Sequence, residues 1–279
     1  MSKKSALIHC IVAILVLVVS QGIASIWYVV NIEGLDSILF GITYVLLTYL
    51  LLNLFIKKYS KQSLASFYIP KFRISRKWFL IAIILPVLVL SMLFLFIPGS
   101  FYTNDFSFYE NFGITIETVF ATGLAVGMVE EMVFRGIIMH AIESCSNIKW
   151  GVLLPSFIFG CMHLLNGKLN LASVLLLLVG GTLVGIMFSL ITYTNRSIWP
   201  SMIVHAFWNT LVIGGIVSFG ADKDPYAISG YLFQNENIFL TGGEFGIEVS
   251  IFAIMGYIAV IIYLGLPQNN RLRDKKENL

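Results

Sequence analysis

The chain carries little charge for its length. Only 12% of its 279 residues are Asp, Glu, Lys or Arg, whereas soluble domains carry about 25%. So few charged side chains cannot cover the surface of a soluble globule of this size. With 58% hydrophobic residues, the chain is also too apolar to be disordered. The composition therefore predicts a membrane protein that crosses the bilayer several times.

Cysteine motifs and a strong excess of one charge are also missing. The three cysteines are an odd number and form no CxxC pair, so the sequence predicts neither a disulfide framework nor a thiolate zinc site. The 18 basic residues are nearly balanced by 15 acidic residues. This balance argues against a nucleic-acid partner.

Long apolar runs dominate the sequence, and each is long enough, at roughly 20 residues, to cross a bilayer as a helix. The runs are continuous rather than alternating, so no strands are expected. We predict an all-α polytopic membrane protein of about eight transmembrane helices, forming a single membrane domain over 1–279. The predicted spans are 6–31, 36–56, 78–98, 114–142, 149–166, 170–193, 199–219 and 245–266.

Positive charge predicts the orientation of these spans. With the amino terminus in the cytoplasm, all but three of the 18 Lys and Arg residues fall in cytoplasmic segments. Lys168 and Lys223 fall outside, and Arg135 lies within span 4. We therefore expect both termini to be cytoplasmic in a multi-pass protein of the cell membrane. An alternative for span 1 is a cleaved signal peptide, which leaves the remaining topology unchanged.

Ionisable residues inside the spans are few and clustered. A charged side chain is costly in hydrocarbon, so each one needs a structural or functional reason. The clustered polar residues are Glu130, Glu131 and Arg135 in span 4, His163 at the end of span 5, and His205 and Asn209 in span 7. Glu131 and Arg135 share a helix face and are expected to pair. Glu130 is turned about 100° away and is left for another role.

The turn between spans 4 and 5 relates the depths of two of these residues. Glu130 lies 16 residues before Ser146, and His163 lies 16 residues after Asn147. The two side chains are therefore expected at one level on adjacent helices. We predict a polar pocket at that level, in the cytoplasmic half of the bundle. Glu248, near the outer end of span 8, is instead expected to reach lipid headgroups.

These groups have the chemistry of a water-activating hydrolase for an amide bond. A carboxylate in a medium of low dielectric constant is suited to act as a general base near neutral pH. A neighbouring histidine can orient a water molecule or carry its proton. A second histidine with an asparagine offers hydrogen-bond donors to a developing oxyanion. No serine accompanies the set in the pattern that a serine nucleophile needs.

Three motifs in these spans resemble those of a known family. Residues 130–135 read E-E-M-V-F-R and match the EExxxR motif of the CPBP family, the CAAX proteases and bacteriocin-processing enzymes also called Abi. Residues 159–163 resemble its FxxxH motif, and residues 205–209 resemble its HxxxN motif. The three motifs also follow one another along the chain in the same order as in the family. The resemblance covers roughly 130–209 and implies a catalytic core over 114–219 that is similar to the CPBP/Abi domain.

The resemblance implies an intramembrane endopeptidase similar to type II CAAX prenyl endopeptidases. By analogy, the catalytic residues are Glu130, His163, His205 and Asn209, and the supporting residues are Glu131, Arg135 and Phe159. The first two catalytic residues activate water, and the last two stabilise the oxyanion. The implied substrate is a hydrophobic or lipidated peptide at the membrane, in bacteriocin or pheromone processing or in self-immunity.

The resemblance leaves the use of a metal open. The family is often labelled metalloprotease, and Glu130, His163 and His205 are the candidate ligands for zinc. The sequence has no HExxH motif, and a metal-free glutamate mechanism is the other reading. We expect no obligatory cofactor, with zinc as the alternative.

Two other classes of function fit the same residues. A non-catalytic immunity or scaffold protein would use the pocket to bind a peptide or a partner membrane protein. A transporter would use buried Glu and His to relay protons. The transporter reading predicts broken helices in repeat-related halves, and the sequence shows no such symmetry. Nothing in the sequence predicts an oligomeric state.

Overall fold

The computed structural model of the chain describes residues 1–235 and 237–265, and this part is predominantly helical. Six helices are long and apolar enough to cross a membrane: α1 (Lys3–Val29), α2 (Leu35–Ser60), α3 (Arg76–Phe96), α4 (Phe108–Cys145), α5 (Ile148–Leu165) and α6 (Leu171–Asn195). They confirm the first six predicted spans and a multi-pass membrane protein. Glu236 and the basic tail with Arg271, Arg273, Lys275 and Lys276 lie outside the described residues.

The last two predicted spans differ in their bounds from the helices observed. Helix α7 runs from Trp199 to Trp208 and continues as a wider π-helical turn over Asn209–Ile213. After the four-residue helix α8 (Ile238–Thr241), helix α9 is described from Ile251 to Gly265, and it begins six residues later than the predicted span. The predicted ends at 219 and 245 were wrong because glycines interrupt the helix on each side of this connection. Gly214 ends α7, and a glycine-containing loop precedes α9.

Three short strands are present where none was predicted. They are β1 (Gly99–Thr103), β2 (Val217–Gly220) and β3 (Ser229–Phe233), in the order β1-β3-β2. Strand β3 runs antiparallel to β1 and parallel to β2. The sheet ties the connection after α3 to the one after α7. In strands of only four or five residues, the alternation of apolar and polar residues is too short to be recognised between long apolar runs.

Side-chain caps set where three of the helices begin. At the start of α4, Ser107 Oγ accepts a hydrogen bond from Glu110 N while the Glu110 carboxylate accepts one from Ser107 N. Asn147 caps α5 by accepting from Trp150 N. Asn170 caps α6 in the same way. Each cap satisfies a backbone N–H that has no partner inside its helix.

Helices α5 and α6 approach each other closely through glycine. A Cβ atom built on Gly181 would lie 2.9 Å from the Gly160 Cα, and one built on Gly185 would lie 2.7 Å from the Ser156 Cβ. No larger residue fits at either position without a shift of the backbone. The GxxxG pair of α6 is therefore a helix-packing motif, as such pairs commonly are in membranes.

The bundle has two distinct ends. At one end, Met1 N donates to Ser144 O, and the Tyr68 hydroxyl donates to the Glu143 carboxylate and accepts from Arg196 Nη1. We call this the turn end, because it contains the α4–α5 turn together with the amino terminus and the α6–α7 connection. We call the opposite end, which contains the three strands and the loops 163–170 and 242–250, the sheet end.

Lysine and arginine are concentrated at the turn end. The described residues of this end include Lys3, Lys4, Lys57, Lys58, Lys61, Lys71, Arg73, Arg76, Lys77, Lys149 and Arg196. The sheet end has Lys168 and Lys223, and Arg135 lies in the core. Positive charge is therefore separated in space as well as along the sequence.

Candidate active site

A buried ion pair lies in the middle of α4. Glu131 Oε1 is 3.1 Å from Arg135 Nη1, and both side chains are fully buried. The contact confirms the pairing expected from their spacing. The Arg135 guanidinium also lies 4.4 Å from the centroid of the Phe159 ring and 5.2 Å from that of Phe188. A charge this deep is stable only with a matched partner, so neither residue can be lost alone without cost.

His205 on α7 lies between the two glutamates of α4. Its Nδ1 is 3.1 Å from Glu131 Oε1, and its Nε2 is 3.5 Å from Glu130 Oε2. The imidazole stacks on the Phe188 ring with centroids 4.6 Å apart. Both glutamates therefore meet the same histidine, although they point in different directions from α4.

Glycines on α4 allow this contact between helices. A Cβ built on Gly127 would lie 3.3 Å from the backbone nitrogen of Ala206, and one built on Gly123 would overlap the hydroxyl of Thr210. The backbones of α4 and α7 can approach this closely because both positions lack a side chain. The spacing G-L-A-V-G of residues 123–127 was a detectable small-xxx-small signal that the sequence reading did not use.

His163 is the first residue of the 3₁₀ turn that ends α5. Its Nδ1 is 2.9 Å from the carbonyl oxygen of Phe159. A carbonyl only accepts, so Nδ1 carries the hydrogen in this contact and the neutral ring has an unprotonated Nε2. The Phe159 ring packs against His163 with centroids 4.6 Å apart and against the Arg135 guanidinium. Phe159 thus separates the ion pair from the histidine at the cavity.

Asn209 lies at the point where α7 becomes π-helical. Its Nδ2 donates to the carbonyl oxygen of Thr122 at 3.1 Å. Thr122 lies in the π-helical part of α4, Glu117–Val126. A π-helical stretch changes the backbone hydrogen bonding of a helix and is frequent at functional sites. The second hydrogen of the Asn209 amide remains for another acceptor.

A cavity of about 410 Å³ joins these side chains. The predicted site residues that line it are Glu130, Phe159, His163, His205 and Asn209. Other parts of its wall are Lys168 from the connection after α5 and Glu244, Phe245 and Glu248 from the loop before α9. The cavity therefore lies in the half of the bundle towards the sheet end.

The cavity lies far from the α4–α5 turn, so the prediction that the pocket is in the cytoplasmic half is inconsistent with the prediction that this turn is cytoplasmic. Sixteen residues of helix rise about 24 Å, most of the roughly 30 Å thickness of a bilayer core. Equal distances from the turn did bring Glu130 and His163 to one cavity. They also carried both residues far from the turn, to the other half of the bundle. Helix α7 brings His205 and Asn209 to the same cavity.

The candidate zinc ligands do not form a ready metal site. Among the side chains that the structure describes, no group of three or more His, Cys, Asp or Glu residues is arranged to hold a metal ion. Glu130 and His205 are close to each other, but His163 does not complete a three-ligand set with them.

Two histidines lie elsewhere, and one acidic residue was missed. His9 bonds to Ser5 and Ser60 at the turn end, and His140 also lies outside the cavity wall. Glu248, which was expected to reach lipid headgroups, lines the cavity instead. No motif pointed to it, because its position depends on the fold of the loop before α9.

The motif-bearing helices also match a known family. Residues 111–211 match the family model described as type II CAAX prenyl endopeptidase, Rce1-like. This match supports an assignment to the CPBP/CAAX protease family. The match covers a little over a third of the chain, from α4 to α7, and contains all seven residues of the EExxxR, FxxxH and HxxxN motifs named above. No curated protein matches the chain.

Loss of Arg135 should destabilise the helix core around the site. In an Arg135→Met variant, Glu131 stays buried without its cation, and we expect a loss of about 3–5 kcal/mol in the free energy of unfolding. The double variant Glu131→Gln/Arg135→Met buries no unpaired carboxylate and should be more stable than the single variant. Thermal unfolding in detergent measures both. A single variant as stable as the wild type would contradict the ion pair.

Proposed function

We propose that the protein is an intramembrane endopeptidase that hydrolyses a peptide bond in a hydrophobic or lipidated peptide at the membrane. The observation that carries this proposal is one cavity with Glu130, His163, His205 and Asn209 in its wall. The family match over residues 111–211 supports it. In this proposal the peptide enters the cavity, and the four side chains surround the scissile bond.

Glu130 is the proposed general base. Its carboxylate takes a proton from a water molecule as the water oxygen attacks the carbonyl carbon of the substrate. His163 is the proposed partner, because the hydrogen bond from Nδ1 to Phe159 leaves Nε2 as an acceptor that can orient the water. The proton then passes from Glu130 to the leaving amine nitrogen as the carbon–nitrogen bond breaks. The second hydrogen of the water stays on the new carboxyl group, so the products are a carboxylic acid and an amine, which become a carboxylate and an ammonium group in water.

Asn209 and His205 are the proposed donors to the oxyanion. Asn209 has an amide hydrogen beyond the one it gives to Thr122. His205 Nε2 faces Glu130 before reaction. Once Glu130 has taken the proton from water, it attracts Nε2–H less strongly, so an oxyanion that lies beside Nε2 can accept this hydrogen bond instead. Donors positioned in this way supply a large part of the stabilisation of such intermediates.

The biological role that we propose is the processing of a bacteriocin or pheromone peptide, or self-immunity against such a peptide. It rests on the resemblance of the three motifs to the bacteriocin-processing members of the family. We place the protein in the cell membrane as a single domain over 1–279, with its core over 114–219. A non-catalytic immunity or scaffold protein is the alternative that the first experiment below decides.

The proposed topology has eight spans with both termini in the cytoplasm. The concentration of Lys and Arg at the turn end supports it, because positive segments resist translocation. Helices α7 and α9 are the seventh and eighth proposed spans, and the described part of each has 15 residues. In this orientation the sheet end and its cavity face away from the cytoplasm.

Glu130→Gln should abolish cleavage. A general base typically contributes about 10²- to 10⁴-fold to the rate, and the isosteric amide cannot take the proton. Cleavage of quenched fluorescent peptides by purified protein in lipid nanodiscs gives the measurement, with Asp105→Asn, an exposed carboxylate at the sheet end, as the matched control. His163→Ala should lose activity as well. If both variants insert into the membrane, accumulate to the wild-type level and still process the peptide or protect the cells fully, the protein acts by binding and not by cleavage.

Removal of metal should leave the proposed glutamate mechanism intact. We expect the purified protein to contain less than one equivalent of zinc and to cleave equally well after dialysis against a chelator. Elemental analysis and the same peptide assay provide the two readings. Stoichiometric zinc whose removal abolishes cleavage, and whose return restores it, would instead establish a metalloprotease.

Cysteine labelling should separate the two ends of the bundle. The native cysteines are Cys10, Cys145 and Cys161, and a variant with serine at all three provides the background. In intact cells, a membrane-impermeant maleimide should label Asp222→Cys at the sheet end but not Lys58→Cys at the turn end. Permeabilised cells should show labelling of both. The opposite pattern would invert the proposed topology without affecting the proposed chemistry.

A further inference from the structure

The loop between α8 and α9 is built to form one wall of the cavity. Gly242, Gly243 and Gly246 have φ angles of 83°, 64° and 112°, which side-chain-bearing residues rarely adopt. A Cβ on Gly242 would overlap the carbonyl oxygen of Gly246, so the loop closes tightly on itself. The loop shape therefore depends on these three glycines.

The same loop is fastened to the start of α6. Asn170 N donates to Glu244 Oε2 at 2.6 Å, and Glu244 N donates to Ser173 Oγ at 3.1 Å. Val249 packs on Gly180, where an added Cβ would lie 2.8 Å from Val249 Cγ1. These contacts hold the loop in a fixed position against α6, beside the cavity.

Glu248 is the side chain that this loop delivers to the cavity. Ile247 and Val249 on either side are buried, and the Tyr257 hydroxyl donates to the Glu248 carbonyl at 2.9 Å. The Glu248 side chain is half-buried and lines the cavity. Its carboxylate accepts no hydrogen bond from the described residues, whereas the Glu244 carboxylate is occupied by Asn170.

The described groups around Glu248 in the cavity wall do not provide a buried cation to balance its carboxylate. The titratable groups in the cavity wall are Glu130 from α4, His163 from α5, Lys168 from the following connection, His205 from α7, Glu244 from the same loop and Tyr257 from α9. Burial, with Glu130 adding to it, raises the pKa of Glu248 to about 7, although His163 acts in the opposite direction. Three carboxylates thus face one lysine, and that lysine is solvent-exposed.

We propose that Glu248 is a specificity residue that binds a basic side chain, Lys or Arg, of the peptide substrate close to the bond that is cut. The proposal rests on the proposed endopeptidase function. A cation in the cavity would give the Glu248 carboxylate the partner that the protein does not supply, which restores the energy lost on burial. Glu130, already beside His205, remains free to act on water.

The preferred substrate is therefore a cationic hydrophobic peptide. A peptide with an acidic residue at the same position would meet Glu130, Glu244 and Glu248 at close range and bind weakly. The preference for a basic side chain should also depend on pH. Below the pKa of Glu248 the carboxyl is neutral and does not discriminate in favour of a cation, and above it the carboxylate does.

Matched peptides test this proposal. Quenched fluorescent peptides carry Lys, norleucine or Glu at one position at a time, so that Lys and norleucine differ in charge but little in length. For at least one position, the wild-type protein should cleave the Lys peptide about tenfold or more faster than the norleucine peptide. Glu248→Gln should bring that ratio close to one. Glu248→Lys should favour the Glu peptide, and Asp222→Asn, an exposed carboxylate outside the cavity, should keep the wild-type ratio.

The pH dependence provides a second reading. The ratio of Lys to norleucine cleavage should rise from pH 6 to pH 8 in the wild type and stay flat in Glu248→Gln. Taking a ratio cancels the effects of Glu130, His163 and His205, which act on both peptides. A ratio that stays flat in the wild type, or that rises equally in Glu248→Gln, would overturn the assignment to Glu248.

A binding measurement keeps the proposal separate from proteolysis. Fluorescence anisotropy of labelled versions of the same peptides, bound to the Glu130→Gln variant so that they are not cut, reports affinity alone. A Lys preference in Glu130→Gln that disappears in Glu130→Gln/Glu248→Gln supports the inference even if the wild-type protein cuts no peptide, in which case the endopeptidase proposal fails by itself. Equal binding of Lys and norleucine peptides at every position overturns the inference, whatever the cleavage assay shows.

Discussion

The site depends on the contact of two adjacent carboxylates on α4 with one histidine on α7. Glu131 pairs with Arg135 at full burial and also meets His205 Nδ1, while Glu130 meets Nε2. A group of charges this deep is stable only when every member is matched. It therefore fixes how α4 and α7 sit relative to each other. Gly123 and Gly127 make that distance possible by removing side chains from the interface.

The network also explains the aromatic residues around it. Phe159 and Phe188 lie against the Arg135 guanidinium, and Phe188 also stacks on His205. Aromatic faces attract cations and at the same time exclude water from one side of them. Arg135 is thereby held in the dry core, whereas Glu130 and His163 remain at the cavity. One ion pair lies in the dry core, and the neighbouring carboxylate of Glu130 lies at the cavity.

Sequence patterns predicted the helical spans and the helix-based contacts well, because these follow from local spacing. The Glu131–Arg135 pair and the close α5–α6 contact are examples. Glu130 and His163 at one cavity followed from path length alone. The distance of the site from the α4–α5 turn did not follow from equal residue counts alone, because 16 residues of helix rise about 24 Å.

What the sequence did not reveal depends on long-range structure. The strands are too short to show a period, and their pairing joins residues 99–103 with 229–233. Glu248 reaches the cavity through a loop whose shape is set by three glycines with positive φ and by contacts to α6. Hydropathy placed Glu248 near the outer end of span 8. A loop that folds back into a helical bundle has no periodic pattern of hydrophobic residues, so the sequence did not show its position.

The burial of α7 has a consequence for how its length relates to the bilayer. Its 15 residues, Trp199–Trp208 with the π-helical turn Asn209–Ile213, rise about 22 Å, less than the roughly 30 Å of hydrocarbon in an average bilayer. Except for Leu211 and Ile213, these residues are buried or half-buried by the rest of the protein. A helix that is enclosed by protein does not need to match the thickness of the surrounding lipid. The chain can therefore leave the helix at the level of the cavity, where the polar amide of Asn209 is shielded from acyl chains.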